Sequence, residues 1–299
     1  MSDRVGHRGI VVGLDGSSAS RTAVRWATGE AVMRKVALTL VHVIFAQHWG
    51  PTVFGRPPAV AAEPNQQQQA VGQKCIADAI KVVEDSCESG ARPRIDSEVL
   101  VGPPVPTLVD LSKEAQMMVV GCRVRGLLDR VLLGSVSTGL VHHAHCPVAV
   151  IPDETLLSSE LSHLPVVAGI DGSPASELAT AIAFEEASWR GVELIALHAW
   201  SDADVFDIGT MEWSAQQAGA VEALAERLAG WQERYPDVNV HRRIVSGHPA
   251  RHLIDQAEWS QLVVVGRRGR GGFPGMLLGS VSTAVVQAGR APAIVARPR

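Results

Sequence analysis

Short runs of apolar and β-branched residues alternate with longer amphipathic stretches along the chain. In the second half, the apolar runs fall at 165–170, 192–200, 239–246, 261–266 and 291–296. Runs of this length, bounded by turn residues, are typical of strands that are buried on both faces of a sheet. The pattern therefore predicts five strands in this half, and the first half repeats it.

The amphipathic stretches between these runs predict four helices in each half. Ser173 is expected to cap one helix that has Pro174 at its first position, and Asn65 precedes a long helix of the first half. The other helices of the second half are expected at about 210–234, at about 249–259 and from Ser280 onward. This alternation implies an α/β fold in which each half forms a doubly wound, five-stranded parallel sheet of order 3-2-1-4-5 with flanking helices.

The two halves are copies of one another. VVGLDGS at 11–17 returns as VAGIDGS at 167–173, and GCRVRGLLDRVLLGSVST at 121–138 returns as GRRGRGGFPGMLLGSVST at 266–283. Solenoid repeats span only about 20 to 50 residues, so a repeat of this size is a duplicated domain. We predict two tandem domains and a polar linker, with the first half at 1–152, the linker at 153–164 and the second half at 165–299.

The composition narrows the possible partners. The chain has 299 residues, 46% of them hydrophobic, and a formal net charge of -4, which argues against nucleic acid as the main partner. No apolar run approaches the roughly 18 to 20 residues of a membrane span, and the first residues hold no apolar signal-peptide core. The four cysteines form no CxxC pair, which is typical of reduced thiols in the cytosol. We therefore expect a cytoplasmic protein without a DNA or RNA partner and without membrane insertion.

The predicted sheets point to one place for a ligand in each half. In an open parallel sheet, ligands bind beyond the carboxyl ends of the strands where the winding reverses, which is between strands 1 and 4 in this order. In the second half, strand 1 ends at Asp171 and strand 4 ends at Gly266. Their equivalents are Asp15, 156 positions earlier, and Gly121, 145 positions earlier. The two most distinctive motifs of each half are thus expected to meet in one crevice.

The loop after strand 4 of the second half has the spacing of an anion-binding loop. Gly266 is expected to leave the crevice unblocked, and Gly269 to take a positive φ that lets an anion reach the backbone. Gly279 and Ser280 are expected to begin a helix whose first amides point outward and attract phosphate, with help from the Ser280 and Ser282 hydroxyls. A lone motif this short is most often only a turn, but the second copy and the Asp-Gly-Ser partner favour a ligand site.

Several other side chains leave alternatives open. Asp171 either receives backbone amides in its turn or contacts a sugar hydroxyl or a phosphate-bound metal ion. His42 and His198 are expected to be core or crevice residues rather than metal ligands. No zinc-ligand spacing occurs, and neither a P-loop nor the dinucleotide G-x-G-x-x-G is present at the required place. Three arginines lie in the loop of the second half, namely Arg267, Arg268 and Arg270. They either attract the anion or are solvated.

These motifs resemble the universal stress proteins in their tandem, ATP-binding form. The resemblance rests on Gly-x-Asp-Gly-Ser after strand 1, on a His in strand 2 followed by a small or apolar residue, and on the loop G-2x-G-9x-G-S, and it covers nearly all of both halves. It implies a nucleotide-dependent regulator of the stress response or of growth that binds ATP, with or without Mg²⁺, and lacks robust catalysis. It also implies an internal pseudo-dimer that pairs through the last strands (146–152 and 291–298), a homodimer of whole chains and unidentified regulatory partners.

The resemblance also assigns contacts for adenosine to the strand ends and contacts for phosphate to the loop. In the second half, these cofactor-binding residues are Gly169, Asp171, Ala199, Val265, Gly266, Gly269, Gly279, Ser280, Val281 and Ser282. In the first half, they are Gly13, Asp15, Val43, Val120, Gly121, Gly134, Ser135, Val136 and Ser137.

The first half departs from this pattern at Val124, which replaces Gly269. If the loop needs a positive φ there, a β-branched residue costs about 1 to 3 kcal/mol, or roughly 5- to 150-fold in affinity. Leu127 replaces Gly272, and Asp129 adds a negative charge. The sequence therefore predicts that the second half binds ATP more tightly than the first half, and that Gly269→Val weakens the second half.

Two other functions stay open at the level of sequence. One is a slow ATPase or phosphotransferase, for which Asp171 and Ser280 are candidates, although neither is an evident base or nucleophile. The other is a scaffold that binds no nucleotide and acts only through its dimer surfaces. The intact glycines of the second half argue against the scaffold.

Overall fold

The computed structural model describes residues 8–45, 47–49, 59–61, 64–87, 90–125, 130–153, 162–200, 210–270 and 277–298. Strands of the first half are β1 (Ile10–Leu14), β2 (Leu38–Ile44), β3 (Gln47–Trp49), β4 (Ala59–Ala61), β5 (Ile95–Val101), β6 (Met117–Arg125), β7 (Arg130–Leu132) and β8 (Val148–Pro152). Its helices are α1 (Ser18–Arg34), α2 (Gln66–Ser86), α3 (Pro104–Leu111) and α4 (Ser135–His143).

The second half contains the same succession but, among the described residues, no equivalents of β3, β4 and β7. Its strands are β9 (Val166–Gly169), β10 (Leu194–Trp200), β11 (Val240–Ser246), β12 (Leu262–Gly266) and β13 (Ala293–Ala296). Its helices are α5 (Pro174–Arg190), α6 (Thr210–Arg234), α7 (Pro249–Ala257) and α8 (Ser280–Ala288). Among the described residues, no helix combines the length and the apolar character that crossing a membrane requires.

The main strands form one continuous sheet that confirms the predicted fold class. Its order is β11-β10-β9-β12-β13-β8-β6-β1-β2-β5, so each half is a parallel sheet of order 3-2-1-4-5. The halves meet where β8 and β13 pair antiparallel, with Val150 opposite Ala293 and Val148 opposite Val295. This junction, which we call the seam, is the internal pseudo-dimer that the resemblance implied.

The central strands are buried on both faces, as their uninterrupted apolar runs require. One core lies under α1, α2, α5 and α6, and Phe184 is its largest fully buried side chain. The other core lies under α3, α4, α7 and α8, with Leu140 and Leu253 among its members. Because both cores contain residues of both halves, the seam is part of a shared interior.

Side-chain caps begin α2 and α5 at the residues that the sequence predicts. The Ser173 hydroxyl accepts the Ser176 amide at 3.2 Å at the start of α5, and Pro174 is the first helical residue. Asn65 forms a reciprocal capping box with Gln68 at the start of α2. These caps fix where the chain leaves each strand-to-helix turn.

A buried ionic cluster joins α1 to α5 across the two halves. Arg34 pairs with Glu30 at 3.1 Å and also with Glu186, whereas Arg190 pairs with Glu186 at 3.1 Å and also with Glu30. Both carboxylates are fully buried. Each arginine also lies over an indole ring of the other half, Arg34 at 4.6 Å from the ring centre of Trp189. The cluster is symmetric, since each helix supplies one acid and one base to the other.

The halves differ in the loop that follows strand 4. In the first half, β6 continues to Arg125 and pairs antiparallel with β7. We call this hairpin the ribbon; its β7 strand lies against α8 of the second half. In the second half, the corresponding strand β12 ends at Gly266, and the chain leaves the sheet.

Candidate functional site

One crevice lies at the carboxyl ends of the central strands in each half. In the first half, it is a cavity of about 500 Å³, and every residue that the sequence assigned to that half lines it. The crevice of the second half measures only about 90 Å³. It is lined by all the assigned residues of that half except Gly279 and Ser280, which lie at the start of α8. The predicted residues are thus brought together in both halves.

The two strand-1 aspartates hold tight turns. One oxygen of Asp15 accepts the Ser17 amide at 2.9 Å, and one oxygen of Asp171 accepts the Ser173 amide at 2.9 Å. The other oxygen of Asp171 accepts the Arg270 amide at 3.0 Å. The turn role that the sequence left open is therefore real for both aspartates.

Charge at Asp15 is favoured by its surroundings. Burial alone would raise the pKa of the carboxyl group. Hydrogen bonds from Ser17 and Ser20 and the positive charge of Arg123 outweigh this effect and lower the pKa. The pKa of Asp15 lies below its ordinary value, so the group is an anionic acceptor at neutral pH. Arg123 lines the same cavity and faces it with a positive charge.

The strand-2 histidines anchor these turns. His42 Nδ1 lies 2.9 Å from the carbonyl oxygen of Leu14, and His198 Nδ1 lies 2.6 Å from that of Ile170. Because a carbonyl oxygen only accepts, each Nδ1 carries the proton and donates. His42 also lines the crevice, which agrees with the expected core or crevice position. Each histidine thus ties strand 2 to the residue just before the aspartate.

The helices that follow the loops begin without a side-chain cap within the part of the chain that the structure describes. Gly134 precedes α4 and Gly279 precedes α8, and neither helix start shows a side-chain hydrogen bond. The first backbone hydrogen bond of α4 is Thr138 amide to Gly134 carbonyl at 3.0 Å. The amides before Thr138 therefore have no acceptor inside the helix and are donors for an anion.

The hydroxyl of the second serine in each Gly-Ser-Val-Ser run is used inside the protein. The hydroxyl of Ser282 donates to the Gly266 carbonyl at 2.5 Å, and that of Ser137 donates to the Gly121 carbonyl at 3.0 Å. Both side chains are buried. These hydroxyls tie the helix to the end of strand 4, so the expectation that Ser282 would offer its hydroxyl to phosphate is wrong.

The strand-end glycines serve packing rather than access to the crevice. A side chain at Gly266 would overlap the backbone of Ala175 in the first turn of α5, and one at Gly121 would overlap the backbone of Ala19 in α1. The glycines therefore allow the first turn of the helix to approach the strand. The predicted reason for Gly266, that a side chain there would block the crevice, is therefore wrong, although Gly266 does end the strand.

The premise about Gly269 is also wrong. Its φ is not in the positive range. A side chain there would overlap the carboxylate of Asp171, because the loop folds onto that group through the Arg270 amide and through the Ser173 hydroxyl, which donates to the Arg268 carbonyl at 3.2 Å. Gly269 is thus needed for the approach to Asp171. We call these two contacts the latch of the second crevice.

Val124 carries no strain of the expected kind. It pairs with Val131 in the extended ribbon, and β-branched residues are favoured in extended strands. Leu127 and Asp129 lie outside the described residues. The argument that ranked the second half above the first half therefore loses its basis, while the affinities themselves stay untested. The larger cavity belongs to the first half.

Some crevice residues were missed from the sequence. Pro104 and Leu108 of α3 line the first crevice, and Pro249 and Leu253 of α7 line the second. The repeat of Gly102-Pro-Pro as Gly247-His-Pro marks the start of these helices and could have pointed to them. Among the described residues, no group of three or more His, Cys, Asp or Glu side chains is arranged to hold a metal ion.

Fold and site together define a tandem α/β protein with one crevice per half. The model of the universal stress protein family matches residues 6–152 and again residues 164–297. The chain belongs to the universal stress protein family, in its tandem form.

Known proteins that resemble the chain agree with this assignment. A universal stress protein of Mycobacterium tuberculosis strain H37Rv is 52% identical over 289 residues, covering 97% of this chain and 96% of that protein. A second one from the same strain is 50% identical over 291 residues, covering 97% of each. The crystal structure of a universal stress protein from Archaeoglobus fulgidus superposes with a TM-score of 0.69 at 19% identity, covering 98% of this chain and 99% of that chain. This last likeness concerns the fold.

Proposed function

We propose that the protein binds ATP in its crevices and acts as a nucleotide-dependent regulator of the stress response or of growth, without robust catalysis. The observation that carries the proposal is the first crevice, where an anionic acceptor and helix amides without an acceptor inside their helix line one cavity of about 500 Å³. Cavities of about 300 to 1,000 Å³ are the usual size for small-molecule and cofactor sites.

The part of the first crevice that the strand ends and α3 form suits adenosine. Val43, Leu108 and Val120 offer apolar walls for a base, and Asp15 offers a carboxylate to a sugar hydroxyl. Because Asp15 uses one oxygen for the Ser17 amide, its other oxygen is the one for the sugar. This division accounts for both roles that the sequence left open for the strand-1 aspartate.

The helix side suits phosphate. Amides of Ser135, Val136 and Ser137 have no acceptor within α4, and the positive end of the helix dipole adds to their attraction. Each hydrogen bond to a charged group contributes about 1.5 to 3 kcal/mol. Arg123 supplies a positive charge in the same cavity, and we add it to the residues expected to contact phosphate.

The second crevice has the same components but a smaller space. ATP must displace the latch there before its sugar can reach Asp171, and breaking those hydrogen bonds reduces the net binding energy. We therefore propose the opposite of the ranking from sequence, with the first half binding ATP more tightly. A cytoplasmic location, a homodimer of whole chains, a role for Mg²⁺ and regulatory protein partners stay predictions.

The proposal is tested with the full-length protein. Nucleotide released by denaturing the purified protein is identified by mass spectrometry, and the nucleotide-free chain is then titrated with ATP and Mg²⁺ by calorimetry. We expect ATP as the released species and two classes of site. If no nucleotide is released and no binding is detected up to millimolar ATP, the proposed function is wrong.

Matched variants assign the two sites. Asp15→Asn keeps an oxygen for the Ser17 amide but loses the anion, and we expect it to weaken the tighter site by about tenfold or more. Asp171→Asn is expected to leave that site unchanged. Loss of the tighter site in Asp171→Asn instead would restore the ranking that the sequence predicted.

Gly269→Val tests the close approach in the second half. Its side chain must displace the Asp171 carboxylate, so we expect weaker ATP binding at the second site and an unchanged first site. Unchanged affinity at both sites would mean that Asp171 does not contact the nucleotide.

A further inference from the structure

Arg297 of the second half crosses the seam and ends a helix of the first half. Its guanidinium donates to the carbonyl oxygen of Ala144 at 2.8 Å and to that of Val141. Val141 lies in the last turn of α4, and Ala144 is the residue that follows the helix. The Arg297 side chain is buried, with 4% of the residue exposed. A buried charge that bonds the end of a helix in the other half is a specific structural connection.

The helix needs this outside donor because it lacks the usual terminator. The last carbonyls of a helix have no partner inside it. The equivalent helix α8 ends at Gly289 in the left-handed conformation, with φ 56° and ψ 31°, which is a common way to close a helix. The residue 145 positions earlier is Ala144, and its φ of -58° and ψ of 155° are not left-handed. Arg297 replaces the missing cap.

The position equivalent to Arg297 in the first half also carries a different residue. The residue 145 positions before Arg297 is Pro152, which has no donor to offer to α8. The half with the left-handed glycine therefore lacks the arginine partner, and the half without that glycine receives one. This pairing of two differences indicates that Arg297 serves the first half.

Arg297 also lies close to the base of the loop in the second half. Burial and the positive charges of Arg267 and Arg268 lower the pKa of Arg297 to about 10. The Arg267 amide donates to the carbonyl of Ala296, the residue before Arg297, at 3.2 Å. Arg297 thus lies between α4 of one half and the loop of the other.

We propose that Arg297 is a positioning residue for the first crevice, holding α4 so that its N-terminal amides are fixed for phosphate. The helix has only nine residues, about 13 Å, so a shift of its last turn moves its first turn as a rigid unit. This inference rests on the proposed function, and it makes ATP affinity in the first half depend on a residue of the second half.

The test compares Arg297→Met and Arg297→Lys with Arg251→Met, an exposed arginine of α7, in the full-length chain. Calorimetry with ATP is carried out in the Asp171→Asn background for the first site and in the Asp15→Asn background for the second. We expect Arg297→Met to weaken the first site by about fivefold or more. Arg297→Lys keeps the charge but cannot donate to both carbonyls as the guanidinium does, so we expect an intermediate ATP affinity at the first site. Arg251→Met is expected to bind ATP as the parent does. A first site within twofold of the parent, or an equal loss at both sites, would overturn the proposal.

Hydrogen exchange separates this inference from the proposed function. We expect the amides of α4 to exchange faster in Arg297→Met than in Arg251→Met, while urea unfolding shows that both variants are folded. If the parent protein binds no ATP, the proposed function fails, and exchange alone then decides whether Arg297 fixes α4. Unchanged exchange across Ser135–His143 refutes the positioning role. If Arg297→Met does not fold, the same comparison is made with Arg297→Lys.

Discussion

Lys35 and Gly191 occupy equivalent positions, 156 residues apart, after the last turns of α1 and α5. Both are left-handed, with φ 55° and ψ 44° at Lys35 and φ 64° and ψ 37° at Gly191. A residue with a side chain pays about 1 to 2 kcal/mol for this conformation, whereas glycine does not. The first half therefore carries a local cost that the second half avoids.

Exchanging these two residues tests that cost. We expect Lys35→Gly to raise the free energy of unfolding by about 0.5 to 1 kcal/mol, since relief of the strained conformation exceeds the larger chain entropy of glycine. Gly191→Lys is expected to lower it by about 1 kcal/mol, although no atom of the described residues lies near enough to collide with its Cβ. Urea unfolding measures both. Changes of the same sign in the two variants would show that the backbone conformation is not the cause.

Single residues also mark where prediction from sequence succeeds and where it stops. Asp15 and Gly134 were placed correctly because the strand pattern, the repeat and the sheet order fix the ends of strands and the starts of helices. The conformation of Gly269 was not predicted, since it depends on a contact with Asp171 across the crevice. Arg297 gave no sequence signal, because its partners lie more than 150 positions away in the chain.

At the scale of elements, the two loops after strand 4 show that one motif takes two forms. The first forms the ribbon, and the second folds onto Asp171. Val124 and Val131 are β-branched residues that favour strands, so the ribbon had a sequence signal, but the sequence analysis considered Val124 only as a replacement for a glycine. Helix ranges and strand order were predictable because each depends on a local pattern repeated in both halves.

Helices α1 and α5 form an element pair whose stability depends on pH. Burial and the nearby Glu186 raise the pKa of Glu30 to about 7 from an ordinary 4.5, against the opposite effects of Arg190 and Arg34. Between about pH 4.5 and 7, the folded state therefore binds more protons than the unfolded state. The contribution of Glu30 is therefore fully present below about pH 4.5 and is lost as the pH rises through about 7.

Glu30→Gln is the test of this dependence. The wild type is expected to lose about 1 to 3 kcal/mol of unfolding free energy from this group as the pH rises across that window, and the variant should lack the loss. Urea unfolding at a series of pH values measures the slope, whatever the absolute stability of the variant. Glu233→Gln on the exposed face of α6 serves as the control. Parallel pH curves for the wild type and Glu30→Gln would exclude a role for Glu30.

At the scale of the whole molecule, the seam, the ionic cluster and Arg297 connect the halves without using the segment between Asp153 and Ser162. We therefore expect a protein cut at a protease site inserted in that segment to remain one particle. The two fragments should elute together from a sizing column at micromolar concentration and separate only in denaturant. Two half-sized peaks in buffer would show that the covalent link, rather than the shared core, holds the halves together.

The seam also changes how the sheet meets its surroundings. A separate five-stranded sheet has two open edges, and joining β8 to β13 leaves one open edge per half, at β5 and at β11. Both of these carry charged side chains, Asp96 and Glu98 on β5 and Arg242 and Arg243 on β11. Charges on an open edge discourage pairing with strands of other molecules. We therefore expect the seam to reduce aggregation, because the apolar last strands β8 and β13 pair with each other rather than offering an open edge to another chain.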